Sequence, residues 1–136
     1  MTPDDLMAKS VRAVASARLL LDDGDIDGAC NRAYYAMFDA AKAALIKLAP
    51  DINSAQVKTH GGLISAFSLH LVKTEILPVS MGRSLNRAHE VRQIADYTGD
   101  AVSVEQAQSI IDQADFFVKT VHTHVHPDTS GDMQAN

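Results

Sequence analysis

A chain of 136 residues, 46% hydrophobic and 21% charged, is long enough to bury one core and too apolar to be a disordered segment. Its net charge of -5 gives no electrostatic case for non-specific binding to nucleic acid or a membrane surface, although a local basic patch is still compatible with it. The single cysteine, Cys30, excludes an intrachain disulfide and suits a reducing compartment.

The opening "MTPDDLMAKSVRAVASARLL" places acids ahead of its apolar residues and interrupts them with Lys9, Arg12 and Arg18, the reverse of a secretory signal. No window approaches the run of about 18 apolar residues that a membrane span needs. The expectation is a cytoplasmic protein with no membrane partner. The first helix is expected to start with Thr2 as N-cap, Pro3 at the first helical position and acids in the first turn, and to run through Leu21. It stops at "DDGD", where Gly24 favours a turn.

A second helix is expected from Asp25 or Asp27 to the break at Pro50. Ala33, Met37, Ala40, Ala44 and Leu48 form one stripe, with Tyr34, Phe38, Ala41 and Leu45 beside it. A face that wide makes this helix central. "APDINSAQVKTHGG" reads as a loop. A third helix over roughly 61–75 turns Leu63, Ile64, Phe67, Leu71 and Val72 inward, and after Pro78 a fourth, rich in Arg and His, covers about 80–97. The fifth opens on a capping box of Ser103 and Gln106, and Val104, Ala107, Ile110, Ile111, Ala114, Phe117, Val118 and Val121 make its stripe. Together these predict an all-α fold, an antiparallel up-and-down bundle of four to five helices over residues 1–125, with a disordered tail at 126–136.

Several polar groups could carry chemistry. His122, His124 and His126 alternate, so on a helix only His122 and His126 share a face; without a cysteine or a set of carboxylates nearby they read as helix C-terminal residues, and no metal or other cofactor is expected. His60 stands before Gly61 and Gly62 at a helix start, as a cap or loop residue or beside a phosphate. No phosphate-binding loop, dinucleotide fingerprint or hydrolase elbow is present in the sequence. Asn31, Tyr35 and Asp39 form a polar strip along the second helix, with Arg32 next to it. Buried tyrosine and arginine need partners, so the strip is expected to face polar groups, either in an ordinary surface or half-buried hydrogen-bond network or, across an interhelix groove, at Arg92, Asp96 and Tyr97 of the fourth helix. Arg92 can pair with Asp96, and His89 lies one turn before Arg92 on the same side. An arginine there suits a phosphate, which makes this helix the sequence's best candidate for contacting RNA or a nucleotide.

The run "GACNRAYYAMFDAAKAAL", the "KTHGG" start, "VRQIADY" and the closing "SVEQAQSIIDQADFFV" together resemble the HEPN superfamily, in particular its small stand-alone bacterial and archaeal members, over roughly residues 5–121. The resemblance implies a helical bundle that forms a homodimer and is encoded beside a minimal nucleotidyltransferase as a toxin–antitoxin pair. It also implies metal-independent ribonuclease chemistry, in which an arginine is followed after four to six residues by a histidine. The histidine moves the proton of a ribose 2′-hydroxyl and the arginine steadies the phosphorane charge. Here Arg92 takes the arginine position and Tyr97 stands where the histidine would, a poor base at neutral pH with an ordinary pKa of about 10. His89 is the alternative proton carrier, so Arg92, Tyr97 and His89 are the catalytic candidates. Asn31, Arg32, Tyr35, Asp39, His60 and Asp96 are the candidates for holding nucleotide or RNA. "RSLNRAH", Arg83 to His89, meets the bare spacing but lies too early for the motif. By the same resemblance Tyr97 is a candidate to accept a nucleotidyl group from the partner enzyme. Three functions follow: a binding partner of the transferase, which the missing histidine favours; a ribonuclease toxin; and a bundle whose polar strip only fixes helix register.

Overall fold

The computed structural model describes residues 1–52, 54–98 and 101–126. Apart from His126, the tail expected to be disordered lies outside them. Five helices make the fold: α1 (Pro3–Asp22), α2 (Ile26–Leu48), α3 (His60–Phe67), α4 (Val79–Gln93) and α5 (Val104–Val125). The all-α expectation holds, with no strand among the described residues. No helix there is long and apolar enough to cross a membrane.

The termini are where the sequence puts them. Thr2 Oγ1 accepts from the Asp5 backbone N–H and the Asp5 carboxylate accepts from Thr2 N–H, both at 3.1 Å, closing a capping box on α1. Gly24 at φ +88° turns the chain, and Asp25 caps α2 through the Gly28 N–H at 2.9 Å. A connection this short makes α1 and α2 antiparallel neighbours. Ser103 and Gln106 close the expected box on α5. Asp4 meets His126 while Arg18 meets Asp112 and Asp115, so α5 runs opposite to α1. Asn31 near the start of α2 meets Asp96 just beyond α4, so α4 runs opposite to α2.

Helix α2 lies at the centre. Ala29, Ala33, Ala36, Ala40, Ala41, Ala43 and Ala44 are all fully buried, and their small side chains let α1, α4 and α5 approach its backbone closely. Cys30 is buried there too; burial, with Asp27 and Asp96 adding, pushes its thiol up to about 11, the state of an inert core cysteine.

Four expectations need correction. The stripe of α5 does not begin at Val104, which occupies the first helical position and is 52% exposed. The expected loop after Pro50 contains a 3-10 turn, Ser54–Val57. The third helix is α-helical only to Phe67 and continues as a π-helical segment, Ser68–Val72, in which Leu71 is buried and Val72 only partly so. The fourth is α-helical to Gln93 and then widens into a π-helical turn, Ile94–Thr98.

Candidate functional site

Three stretches far apart in sequence meet beside the centre of α2. Helix α2 presents Asn31, Tyr34, Tyr35 and Phe38, the start of α3 brings His60, and α4 with its π-helical turn brings His89, Arg92, Asp96 and Tyr97. Thr59, not His60, caps α3, accepting from the Gly62 N–H at 2.9 Å. That leaves the His60 ring free to lie against α2, where its Nδ1 is 2.6 Å from the Tyr34 hydroxyl. The His60 and His89 rings stack with centroids 5.6 Å apart and planes inclined by 18°. Tyr34 contacts both, at 5.5 Å and 5.3 Å, and Phe38 closes the side of His60 at 5.2 Å.

Arg92 sits over this cluster. It is 9% exposed, and its guanidinium carbon lies 5.5 Å from the ring centres of both Tyr34 and Tyr35 and 5.7 Å from that of Tyr97. An arginine favours such a cage because its flat, weakly hydrated cation is attracted to aromatic faces. Its Nε is 3.2 Å from Asp96 Oδ2, an ion pair in which the N–H does not point at the oxygen. Asn31 Nδ2 donates to the same oxygen at 3.4 Å. The π-helical turn re-aims Asp96 and Tyr97 relative to a regular helix, and such wide turns gather at functional sites.

The electrostatics favour the neutral form of both imidazoles. His60 titrates below its ordinary value because of burial and then Arg92; His89 does so because of burial, His60 and Arg92, with Glu90 opposing. For His89 the geometry agrees: its Nδ1 is buried without a hydrogen-bond partner among the described residues, so the imidazolium would hold an unsatisfied N–H. The Tyr34 hydroxyl is pushed well above its ordinary value, by burial first and Tyr35 second, with Arg92 opposing. A histidine whose folded pKa is depressed binds fewer protons folded than unfolded, so stability rises with pH through the interval from the folded value to about 6.5. Acidification below about pH 6.5 is therefore expected to destabilise the protein. Urea melts across that range are expected to show a shallower acid limb in the His60→Gln/His89→Gln double variant; an unchanged slope would remove these rings as its source.

The sequence-derived residues divide. Asn31, Tyr35, His60, His89, Arg92, Asp96 and Tyr97 share the corner. Arg32 lies at its margin, 5.9 Å over the outer tyrosine, Tyr35. Asp39 does not join it: its side chain is 9% exposed, burial raises its pKa, and the opposing charges are Lys9, Arg32 and Lys42. The His122 and His126 rings meet at 4.9 Å, inclined by 49°, at the opposite end of the bundle, beside Asp4. Tyr34 enters the sequence reading only as part of an apolar stripe, although a buried phenol always raises the question of its partner. Among the described residues no group of three or more His, Cys, Asp or Glu is placed to hold a metal ion.

A helical bundle with an arginine caged at the end of its fourth helix defines a class, and comparison with known proteins gives it a name. The HEPN domain family profile matches residues 4–124, and the chain belongs to that family. It is 36% identical over 123 residues to a UPF0332 protein of Gloeobacter violaceus, covering 88% of this chain and 94% of that one. To a protein of Methanocaldococcus jannaschii whose name marks it as a candidate toxin, it is 35% identical over 108 residues, 79% of this chain and 77% of the relative. A UPF0332 protein of Archaeoglobus fulgidus is 32% identical over 120 residues, 87% of this chain and 90% of that one.

Proposed function

We propose that this chain is the toxin-like HEPN member of a two-protein module. It acts as a homodimer, takes a phosphate of RNA or of a nucleotide at the Arg92 corner, and has a minimal nucleotidyltransferase as its partner. The observation that carries this reading is the gathering of one guanidinium and two imidazoles that burial biases toward the neutral form, brought by α3 and α4 against the tyrosines of α2. A bundle needing only helix register would have no use for a histidine whose buried nitrogen lacks a partner among the described residues. The candidate-toxin names of the relatives from M. jannaschii agree with a toxin-like role. Tyr97, 73% exposed at the rim, leaves its hydroxyl open to a partner enzyme.

A second reading, RNA cleavage without a metal, is favoured by the stacked histidines. A neutral imidazole is the form that accepts a proton, so His89 supplies at neutral pH what Tyr97 does not, with Arg92 beside it for the phosphorane charge. The experiment is incubation of the purified protein with total cellular RNA, with and without chelator, alongside light scattering for the dimer. The expected result for cleavage is chelator-resistant degradation that is lost in His89→Asn. RNA binding without degradation by a well-folded dimer would leave the binding role alone, and a monomer that neither binds nor cuts RNA would overturn both.

A further inference from the structure

We propose that Tyr34 locks His60 as a neutral imidazole with its proton on Nε2, and that this N–H, beside the Arg92 guanidinium, receives a non-bridging phosphoryl oxygen of an RNA phosphodiester. The inference deepens the phosphate-binding reading above and rests on it.

Tyr34 is 0% exposed, so its hydroxyl proton must find an acceptor inside the protein. His60 Nδ1 at 2.6 Å is the partner the structure provides among the described residues. A hydroxyl whose pKa is driven upward stays protonated and donates. A ring nitrogen that accepts a hydrogen bond cannot also carry a proton, so the proton of the neutral His60 ring is on Nε2.

The availability of that nitrogen gives it a purpose. His60 is half-buried, and among the described residues its Nε2 makes no hydrogen bond and is not one of the buried polar atoms left without a partner, which leaves it available to a ligand. The His89 ring stacks on that of His60 and has its Nδ1 buried. The corner thus offers a fixed neutral N–H beside a cation that aromatic rings hold in place. A neutral donor and a guanidinium together suit an anion with several oxygens. The exposed Tyr97 ring at the rim adds a stacking surface for a base, which favours a nucleic acid over a bare anion. Tyr34 is in this scheme a positioning residue, and the step it serves is recognition, with no proton transferred.

The test reads the tautomer directly. Long-range proton–nitrogen NMR correlations of the imidazoles in nitrogen-15-labelled protein at neutral pH are expected to show His60 with Nε2 protonated and Nδ1 as acceptor. Titration with a short single-stranded RNA is expected to shift the His60 Nε2–H, and inorganic phosphate to act far more weakly at the same nitrogen. Tyr34→Phe keeps the ring in the core while removing the hydroxyl. It is expected to give mixed His60 tautomers and to weaken RNA binding by about 3–10-fold, the scale of one neutral hydrogen bond. His60→Gln, which retains an N–H near the same place, is expected to hold most of the affinity that His60→Ala loses. A wild-type His60 protonated on Nδ1 would overturn the proposal whether or not RNA binds. RNA that binds without moving the His60 signals would overturn it while leaving the phosphate-binding reading in place. Phosphate matching RNA at that nitrogen would overturn the assignment of the ligand. Absence of any RNA binding would overturn the reading and the proposal together.

Discussion

Phe117→Ala is expected to destabilise the protein by about 3–5 kcal/mol, the range for deleting a buried aromatic ring. Phe117 on α5 and Phe67 at the end of α3 are both 0% exposed and stack with centroids 5.3 Å apart and planes inclined by 29°. The lost ring leaves a cavity between two helices that cannot collapse without moving α3, and it removes an aromatic pair worth about 0.5–1.5 kcal/mol beyond its area. Against a total stability of about 5–15 kcal/mol for a domain, the deletion brings the protein near its folding threshold. Since α3 also carries His60, the same variant is expected to loosen the corner. The neighbouring Phe116 is 57% exposed, and its alanine variant is expected to stay within about 0.5 kcal/mol of the parent. Urea denaturation of both variants decides it. Equal effects would mean that the two rings are not divided between core and solvent as the fold places them.

That contrast between adjacent phenylalanines was legible in the sequence. The 3.6-residue stripe assigns Phe117 inward and leaves Phe116 out, and the caps at Thr2, Asp25 and Ser103 follow from side chains that can accept from free backbone N–H groups. What periodicity misses lies at the helix ends. Val104 continues the stripe in pattern, yet at the first helical position it is half exposed. The π-helical turns at Ser68–Val72 and Ile94–Thr98 leave no mark in composition. A turn widened by one residue is a response to tertiary demand, and at the second site that demand includes Asp96 reaching both Arg92 and Asn31.

The candidate site was partly legible for related reasons. Asn31, Tyr35 and Asp39 look like one strip when counted at four-residue spacing. At 3.6 residues per turn, eight residues leave a side chain about 80° away from where it began. Asn31 and Tyr35 therefore reach the Arg92 corner, while Asp39 has turned toward Lys9. His60 was visible as a candidate ligand-holding residue but not as the partner of Tyr34, because that link spans 26 positions and joins separate helices. Tyr34 was hidden by its own ring, whose apolar body satisfies the stripe and gives no sign of where the hydroxyl goes.

Arg92→Ala is expected to weaken RNA binding by about 10–100-fold, since a hydrogen bond from a charged donor contributes about 1.5–3 kcal/mol. If the wild-type protein cleaves RNA, the rate is expected to fall by about two to three orders of magnitude, the scale of losing a group aimed at transition-state charge. The fold is expected to survive. Asp96 loses its cation, but its side chain is 27% exposed and keeps Asn31, so water can solvate the carboxylate. The variant should melt cooperatively with a loss of about 1–2 kcal/mol, mostly packing against the tyrosines. Arg92→Lys is expected to recover stability better than function, because a lysine ammonium fits the aromatic cage less well and cannot present a two-pronged donor to phosphate. Measuring affinity and stability on the same samples separates the alternatives. A folded Arg92→Ala protein that binds RNA like the wild type would remove Arg92 from the site. A variant that fails to fold would return the arginine to the role of fixing how α4 sits on α2, and the ligand would have to be sought elsewhere on the molecule.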